Sequence, residues 1–307
     1  MKKFAKTFSF SSLIVLSAVV LFPAGCKKDR IESQLNAYDP VSSYLDTKKQ
    51  QEQEFIIDST GSGPIVGNQG TQIWISKQCL MFPNGDSVTW PFTIKLVELY
   101  KPKDMIYYQM PTVAGGTILK TDGEIRLRAF KNGTELLLKP DPCMAQIAMP
   151  NAAPQTGMRV FYGFDSNGHP DWTDNPSALG VTTSISPVFS TTPTGYSAPI
   201  ARLGWINCGQ LAGGSSSGIT FTSSTDDLTN VGIFIYFPST KTVMQAYNSS
   251  SGAIPNGSSV KIVAIGIDSG GNLFSFSVQQ TVNSTGPLDI VMAATTDAAL
   301  TSLLDNL

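Results

Sequence analysis

The sequence predicts an all-β protein with two β-sandwich domains, and three observations lead to this prediction. Runs of alternating apolar and polar residues recur, most clearly at residues 92–100 and 124–130. Turn sequences such as the Asn-Gly pair at residues 132–133 separate these runs at spacings of about 8–12 residues. The same pattern returns at residues 219–292, after a glycine- and serine-rich stretch. Because alternation puts one face of each strand in a core, the pattern is typical of sandwiches.

Length and charge narrow the classes of function. With 307 residues the chain is long enough for two domains, and its net charge is only −2. After Pro150 the basic residues are sparse, being Arg159, Arg202, Lys241 and Lys261. No basic face is therefore expected, and the sequence predicts no nucleic-acid partner.

The N-terminus is typical of an export signal. Lysines at positions 2, 3 and 6 precede an apolar run at residues 8–22, which has the length of a signal-peptide core. The following Pro23-Ala24-Gly25-Cys26 resembles the lipobox of bacterial lipoproteins, although Pro23 stands where leucine is usual. The resemblance implies removal of residues 1–25, lipidation of Cys26 and a lipid anchor in the outer membrane. An ordinary secretory signal is the alternative.

Residues 26–54 are polar and rich in glutamine, without a sustained apolar face. They are expected to form a flexible tether between the anchor and the folded part.

Residues 55–150 are expected to form the first sandwich. Its predicted strands lie at residues 55–57, 72–75, 92–100, 105–108, 117–119, 124–130, 136–138 and 144–149. The turn at residues 83–86 offers Gly85 for a positive φ.

This region resembles the ZU-five-type β domain found in many lipoproteins of the Bacteroidota envelope. The resemblance rests on short motifs in a fixed order: Gly70-Thr71, Val88-Thr89, residues 97–100 (VELY), Asp104-Met105, Pro111-Thr112 and Gly123-Glu124. Residues 203–208 (LGWINC) resemble a second signature of those proteins, but residues 209–211 (GQL) replace the usual acidic residue, arginine and aromatic. The resemblance implies a fold and an envelope location, and it implies no chemistry.

Residues 151–213 are expected to be an irregular connecting region that contains one joint strand. In residues 202–208 apolar side chains occupy both faces, so this strand is predicted to be buried between the two sandwiches, with Trp205 as its packing residue. Trp172, in a polar loop, is the tryptophan expected to be exposed.

Residues 214–307 are expected to form the second sandwich with a short C-terminal helix. Six strand-like runs precede the helix at residues 297–306, which Thr295 or Thr296 caps. Leucines at positions 300, 303, 304 and 307 share one face, so the helix should dock on a sheet.

Candidate sites are few. Oxygen-bearing side chains at Asp165, Asn167, Asp171 and Asp174 are weak candidates for a calcium site, with a solvated turn as the alternative. His169 is the single histidine, which excludes sites that need two. Cys79, Cys143 and Cys208 allow three pairings with one left over, and no pairing is favoured. No cofactor is predicted.

The sequence thus predicts a non-enzymatic, lipid-anchored envelope protein with a structural or scaffolding role. One alternative is a glycan- or protein-binding subunit of an uptake system. Another is a glycan hydrolase, for which Glu98 and Glu124 are the candidate carboxylates.

Overall fold

The computed structural model describes residues 40–60, 63–213, 216–283 and 286–307. The signal peptide and Cys26 lie outside the described residues. The described chain is built mainly of β-strands, which confirms the predicted all-β fold. Its helices are α1 (Pro40–Thr47), α2 (Pro102–Tyr108) and α3 (Asp297–Asp305). Helix α3 confirms the C-terminal prediction, because Thr296 caps it and Leu300 and Leu304 are buried.

The first unit contains α2 and fifteen of the described strands. These are β1 (Gln53–Ile57), β2 (Ile65–Val66), β3 (Gln72–Ile75), β4 (Leu80–Met81), β5 (Phe92–Leu99), β6 (Val113–Ala114), β7 (Thr117–Lys131), β8 (Thr134–Glu135), β9 (Leu137–Leu138), β10 (Ala145–Pro150), β11 (Arg159–Ser166), β12 (His169–Thr173), β13 (Ser190–Thr192), β14 (Gly195–Ile200) and β15 (Gly204–Leu211).

Two antiparallel sheets of this unit face each other as a sandwich. Sheet I has the order β1-β5-β7-β15-β11-β12, with β6 and β8 also paired to β7, and sheet II has the order β13-β14-β10-β3-β2. Alternate residues of both sheets meet in the inner core, for example Leu96 and Leu127 of sheet I and Ile147 of sheet II. The strict alternation of β5 and β7 is what supplies one face to this core.

The structure corrects the expected boundary at residue 150. Strands β11 and β15 lie inside sheet I, and β14 pairs with β10 in sheet II, so residues 151–211 complete the first sandwich instead of connecting two domains. Strands β13 and β14 of this segment are rich in Ser, Thr and Pro, and their long-range pairing overrides their weak local signal.

A second correction concerns residues 102–108. Met105–Tyr108 was expected to be a strand, but it belongs to α2, where Pro102 occupies the first turn and Asp104 lies near the N-terminus. Both features favour the start of a helix.

The second unit contains nine described strands. These are β16 (Ser216–Ser217), β17 (Phe221–Thr222), β18 (Gly232–Phe237), β19 (Thr242–Ala246), β20 (Ile254–Pro255), β21 (Ser259–Ile267), β22 (Leu273–Thr281), β23 (Leu288–Asp289) and β24 (Ala293–Ala294). Sheet III has the order β19-β18-β21-β22-β24, and the pairs β16-β20 and β17-β23 form two small sheets.

Each face of sheet III is buried in a different core. On β18, Ile233 and Ile235 belong to a distal core with β17 and β20. Their neighbours Phe234 and Tyr236 belong to an interface core, which also takes in the three helices and the outer face of sheet I. The interface core joins the two units, because Val97 of β5 packs in it as well.

Helix α1 shows that the predicted tether does not extend to residue 54. Val41 and Leu45 are 3% and 0% exposed in the interface core, and β1 pairs with β5. A Cβ atom at Gly232 would lie 3.1 Å from Val41, so the missing side chain lets α1 approach β18 closely. Residues 40–54 are mostly polar, so the sequence analysis did not recognise that Val41 and Leu45 are spaced to share one face of a helix.

Hydrogen bonds fix the two units relative to each other. The Thr112 N–H donates to the Val243 carbonyl at 2.7 Å, and the Thr242 hydroxyl donates to the Leu119 carbonyl at 2.9 Å. Lys241, in the second unit, forms a 2.8 Å ion pair with the buried Asp122 of the first.

The cysteine pairing is settled by the structure. Cys79 and Cys143 form a disulfide within the first sandwich, and Cys208 is a free, buried thiol in β15. Burial raises the pKa of Cys208, which keeps it in the unreactive thiol form. In the described part of the chain, none of the helices is both long and apolar enough to cross a membrane.

Candidate ligand-binding cleft

A cleft of about 740 Å³ lies between the two units. Its walls come from α1, the end of α2, the turn between β11 and β12, the start of β18 and the end of β19. Clefts of this size at domain interfaces are common small-molecule sites.

Two tight turns, one from each unit, shape the cleft. Asn167 and Gly168 have φ values of 56° and 84° and join β11 to β12. Asn248 and Ser249 have φ values of 51° and 54°, and the turn they form is closed by hydrogen bonds between Tyr247 and Ser250. Consecutive positive φ values match the twist of paired strands. Ser249 is strained there, because residues with a Cβ atom seldom adopt this conformation.

An aromatic pair joins the two turns across the cleft. The ring of His169, directly after the first turn, stacks on the ring of Tyr247, directly before the second. Their centroids are 3.9 Å apart and their planes differ by 29°. Both rings also line a neighbouring cavity of about 330 Å³, to which Met244 and Gln245 of β19 contribute as well.

The cleft is lined by polar side chains of a limited set of types. Among the described residues that line it, none is Asp, Glu, Lys or Arg, and the polar side chains are amides, hydroxyls, one imidazole and two phenols. The amides are those of Gln109, Asn230, Gln245 and Asn248. Gln109 accepts a hydrogen bond from Ser42 at 2.8 Å, which holds α1 to the end of α2.

Burial keeps the Tyr247 hydroxyl neutral. It raises the pKa of Tyr247 to about 12, and the hydroxyl donates to Gln245 Oε1 at 3.3 Å. Across the physiological pH range the cleft therefore offers this phenol as an uncharged hydrogen-bonding group.

The four calcium candidates do not form one site. Asp165 accepts from the Gly168 N–H, Asp171 from the Gly115 and Trp172 N–H groups, and Asp174 pairs with Arg159 at 2.6 Å. Asn167 occupies the turn itself. Within residues 40–307, as far as they are described, no three His, Cys, Asp or Glu side chains are placed to hold a metal ion. The aspartates therefore serve as turn and ion-pair residues.

The two candidate hydrolase carboxylates face opposite sides of sheet I. Glu98 pairs with Ile125, which is in the inner core, whereas Glu124 pairs with Leu99, which is in the interface core. Both are fully buried. Glu98 accepts hydrogen bonds from the N–H groups of Gln69 and Thr71, so its oxygens are used in holding a turn. Two carboxylates on opposite faces cannot flank one glycosidic bond.

The solvent exposure of two tryptophans differs from the expectation, because Trp172 is buried and Trp205 is only partly buried. Trp172 is 2% exposed in the interface core, and its Nε1 donates to the Pro111 carbonyl at 2.7 Å. Trp205 is only half-buried, beside Tyr108 and Arg126 on the same outer face of sheet I. Strand β15 is packed on both faces as expected, since Ile206 and Cys208 enter the inner core. Trp205 packs at the border of the interface core, and its ring contacts are with Tyr108 and Arg126 of the first unit, so its role as a joint stays a prediction.

Sequence reasoning singled out His169 but not Tyr247 or the cleft. The Asn-Gly at residues 167–168 was a readable hairpin signal, whereas the Asn-Ser turn at residues 248–249 was not. Comparisons with known proteins found no matching family model, curated protein or solved structure. The ZU-five resemblance therefore stays a prediction.

Proposed function

We propose that the protein is a non-enzymatic lipoprotein of the bacterial outer membrane whose folded part binds a neutral, hydroxyl-rich ligand such as an oligosaccharide. The observation that carries the proposal is the cleft between the units, whose described lining has no ionic side chain but has stacked aromatic rings and several amides. An ionic ligand would find no counter-charge there. A sugar would find flat apolar faces to stack on and neutral groups for its hydroxyls.

The same residues support the proposal that the protein is not an enzyme. Sugar hydrolysis generally needs two carboxyl groups on either side of the bond, and none of the described residues that line this cleft carries a carboxyl group. His169 is stacked on Tyr247 and has no acidic neighbour in the cleft lining. The cleft is therefore suited to holding a ligand without transforming it.

The proposal includes a lipid anchor at Cys26. Lipidation at Cys26 would hold the folded part near the membrane, where envelope glycans are abundant partners. The variant Cys26→Ala should leave an uncleaved precursor and lose lipid labelling in cells. Normal processing and membrane attachment of this variant would refute the lipoprotein assignment.

Ligand binding is tested with the purified mature chain on an array of neutral and anionic glycans, followed by calorimetry on the best ligands. Tyr247→Ala should weaken binding about tenfold, the effect of losing about 1.4 kcal/mol of stacking and hydrogen bonding. The matched control is Trp74→Ala, which removes the 40%-exposed tryptophan on sheet II, far from the cleft in the fold. This control should bind like the wild type.

Two results would overturn the proposal. Loss of binding in Trp74→Ala with full binding in Tyr247→Ala would move the site to sheet II. Binding of anionic glycans only would contradict the neutral chemistry of the cleft.

A further inference from the structure

A second cavity of about 510 Å³ lies in the first unit, away from the cleft. Three segments enclose it: residues 135–140 around β9, residues 179–182, and residues 201–204 before β15. Its volume is within the usual range of small-molecule pockets.

Most of the wall is aliphatic. Leu137, Leu179, Val181 and Leu203 line it, and Leu137 is 45% exposed although it lies within a strand. Each exposed aliphatic side chain costs free energy in water, and an apolar ligand in the pocket would recover part of that cost.

Three ionic side chains of the described chain line this pocket, those of Glu135, Lys139 and Arg202, and only Arg202 has a buried nitrogen without a hydrogen-bond partner. Arg202 lines the cavity, and its Nη1 atom is buried and has no hydrogen-bond partner among the residues that the structure describes. The carboxylate of Glu135, which also borders the pocket, lies 3.7 Å from Arg128. A buried guanidinium nitrogen without an acceptor is costly, since arginine keeps its charge at every physiological pH.

We propose that this pocket binds an amphiphile with an aliphatic chain and a single carboxylate head group. The chain lies on the leucine wall and the carboxylate pairs with the partly exposed guanidinium of Arg202. Planar guanidinium and carboxylate groups pair through two parallel, charge-assisted hydrogen bonds. This site is independent of the neutral cleft, so either can fail without the other.

The experiment titrates the folded protein with decanoate and with decanol, below their aggregation concentrations, by calorimetry. Decanoate should bind once per chain and about tenfold more tightly than decanol. Arg202→Gln should remove that preference by weakening decanoate alone, whereas Lys120→Gln, a cation outside the pocket, should leave both affinities unchanged.

A second variant keeps the test decisive if Arg202→Gln does not fold. Leu137→Asp places a carboxylate on the exposed part of the wall, so it should fold normally and lose decanoate binding. The proposal is overturned if the wild type binds decanol as tightly as decanoate. It is also overturned if decanoate does not bind, or if Leu137→Asp binds it unchanged.

Discussion

The indole Nε1 of Trp172 donates a 2.7 Å hydrogen bond to the carbonyl oxygen of Pro111. This bond ties the edge strand β12 to the segment that follows α2, inside the core shared by the two units. Gly163 lies opposite, and a Cβ atom there would approach Trp172 to 3.2 Å and Trp205 to 2.7 Å. The glycine thus allows both rings to pack on the outer face of sheet I.

We expect Trp172→Ala to lower the free energy of unfolding by about 3–5 kcal/mol, the usual cost of truncating a buried aromatic side chain. Trp205→Ala should cost clearly less, because Trp205 remains half-exposed to water. Urea denaturation of both variants measures the two values. Equal losses, or a larger loss for Trp205, would contradict the packing described here.

Helix α1 gives a second prediction about stability. Leu45 is fully buried against sheet III and α2, so Leu45→Ala should cost about 2–5 kcal/mol. Ser43→Ala is the matched control on the exposed face of the same helix and should change little. Denaturation curves of both variants give the comparison, and an unaffected Leu45→Ala variant would mean that α1 does not pack in solution.

The predictable parts of this fold are those with local signals. Residues 92–99 and 124–130 alternate in sequence and Asn132-Gly133 marks a hairpin, so β5 and the second half of β7 were predicted, whereas residues 117–119 were expected to be a separate strand and belong to β7. Helix α1 was missed because only two of its apolar residues, Val41 and Leu45, are fully buried, and Val41 packs beside Gly232, almost two hundred positions away. Strands β13 and β14 were missed because β14 is stabilised by pairing with β10 and β13 by pairing with β14, whereas their local composition is not typical of strands.

The cleft was beyond sequence reasoning for a related reason. His169 and Tyr247 belong to different units and meet only because hydrogen bonds such as that between Thr112 and Val243 fix the units together. The exposure of the tryptophans was misjudged on similar grounds. A polar loop around Trp172 indicated solvent, but the hairpin folds its ring inward.

The disulfide gives a third prediction. Cys79 and Cys143 are 64 positions apart, and closing a loop of this length in the unfolded chain is worth about 4 kcal/mol in the chain-entropy model. The double variant Cys79→Ser, Cys143→Ser should lose about that amount in urea denaturation. Addition of a reductant should lower the stability of the wild type and leave the double variant unchanged. Insensitivity of the wild type to the reductant would show that the bond does not form.

The last prediction concerns the buried Glu124. Its Oε1 accepts a 3.0 Å hydrogen bond from the Asn207 side chain, and its Oε2 has no partner among the described residues. Burial raises the pKa of Glu124 well above its usual range, and the bond from Asn207 only partly opposes this. The folded protein therefore holds this proton more tightly than the unfolded chain does.

The direction of the pH dependence follows from that difference. Below the unfolded pKa of about 4.3 both states carry the proton, and the contribution of Glu124 to stability is fully present. Above it the unfolded chain loses the proton while the folded chain keeps it, so the free energy of unfolding falls as pH rises toward the folded pKa. Glu124→Gln keeps the shape of the neutral side chain and removes this titration. Its stability relative to the wild type should therefore increase as the pH rises from about 4 toward the raised pKa of the folded protein.

Urea denaturation at several pH values in that interval measures the effect, with Asp268→Asn as a control of opposite sign. Hydrogen bonds from the Asn272 side chain and from nearby backbone N–H groups lower the pKa of Asp268. The stabilising contribution of the native aspartate therefore develops as pH rises from its lowered folded pKa to the unfolded pKa of about 3.9. Asp268→Asn, measured also below about pH 4, should lose stability relative to the wild type over that lower range and show a constant difference above it. If the gap between Glu124→Gln and the wild type stays constant over the whole interval, Glu124 does not retain its proton in the folded protein, and the carboxylate has found a partner that this structure does not contain.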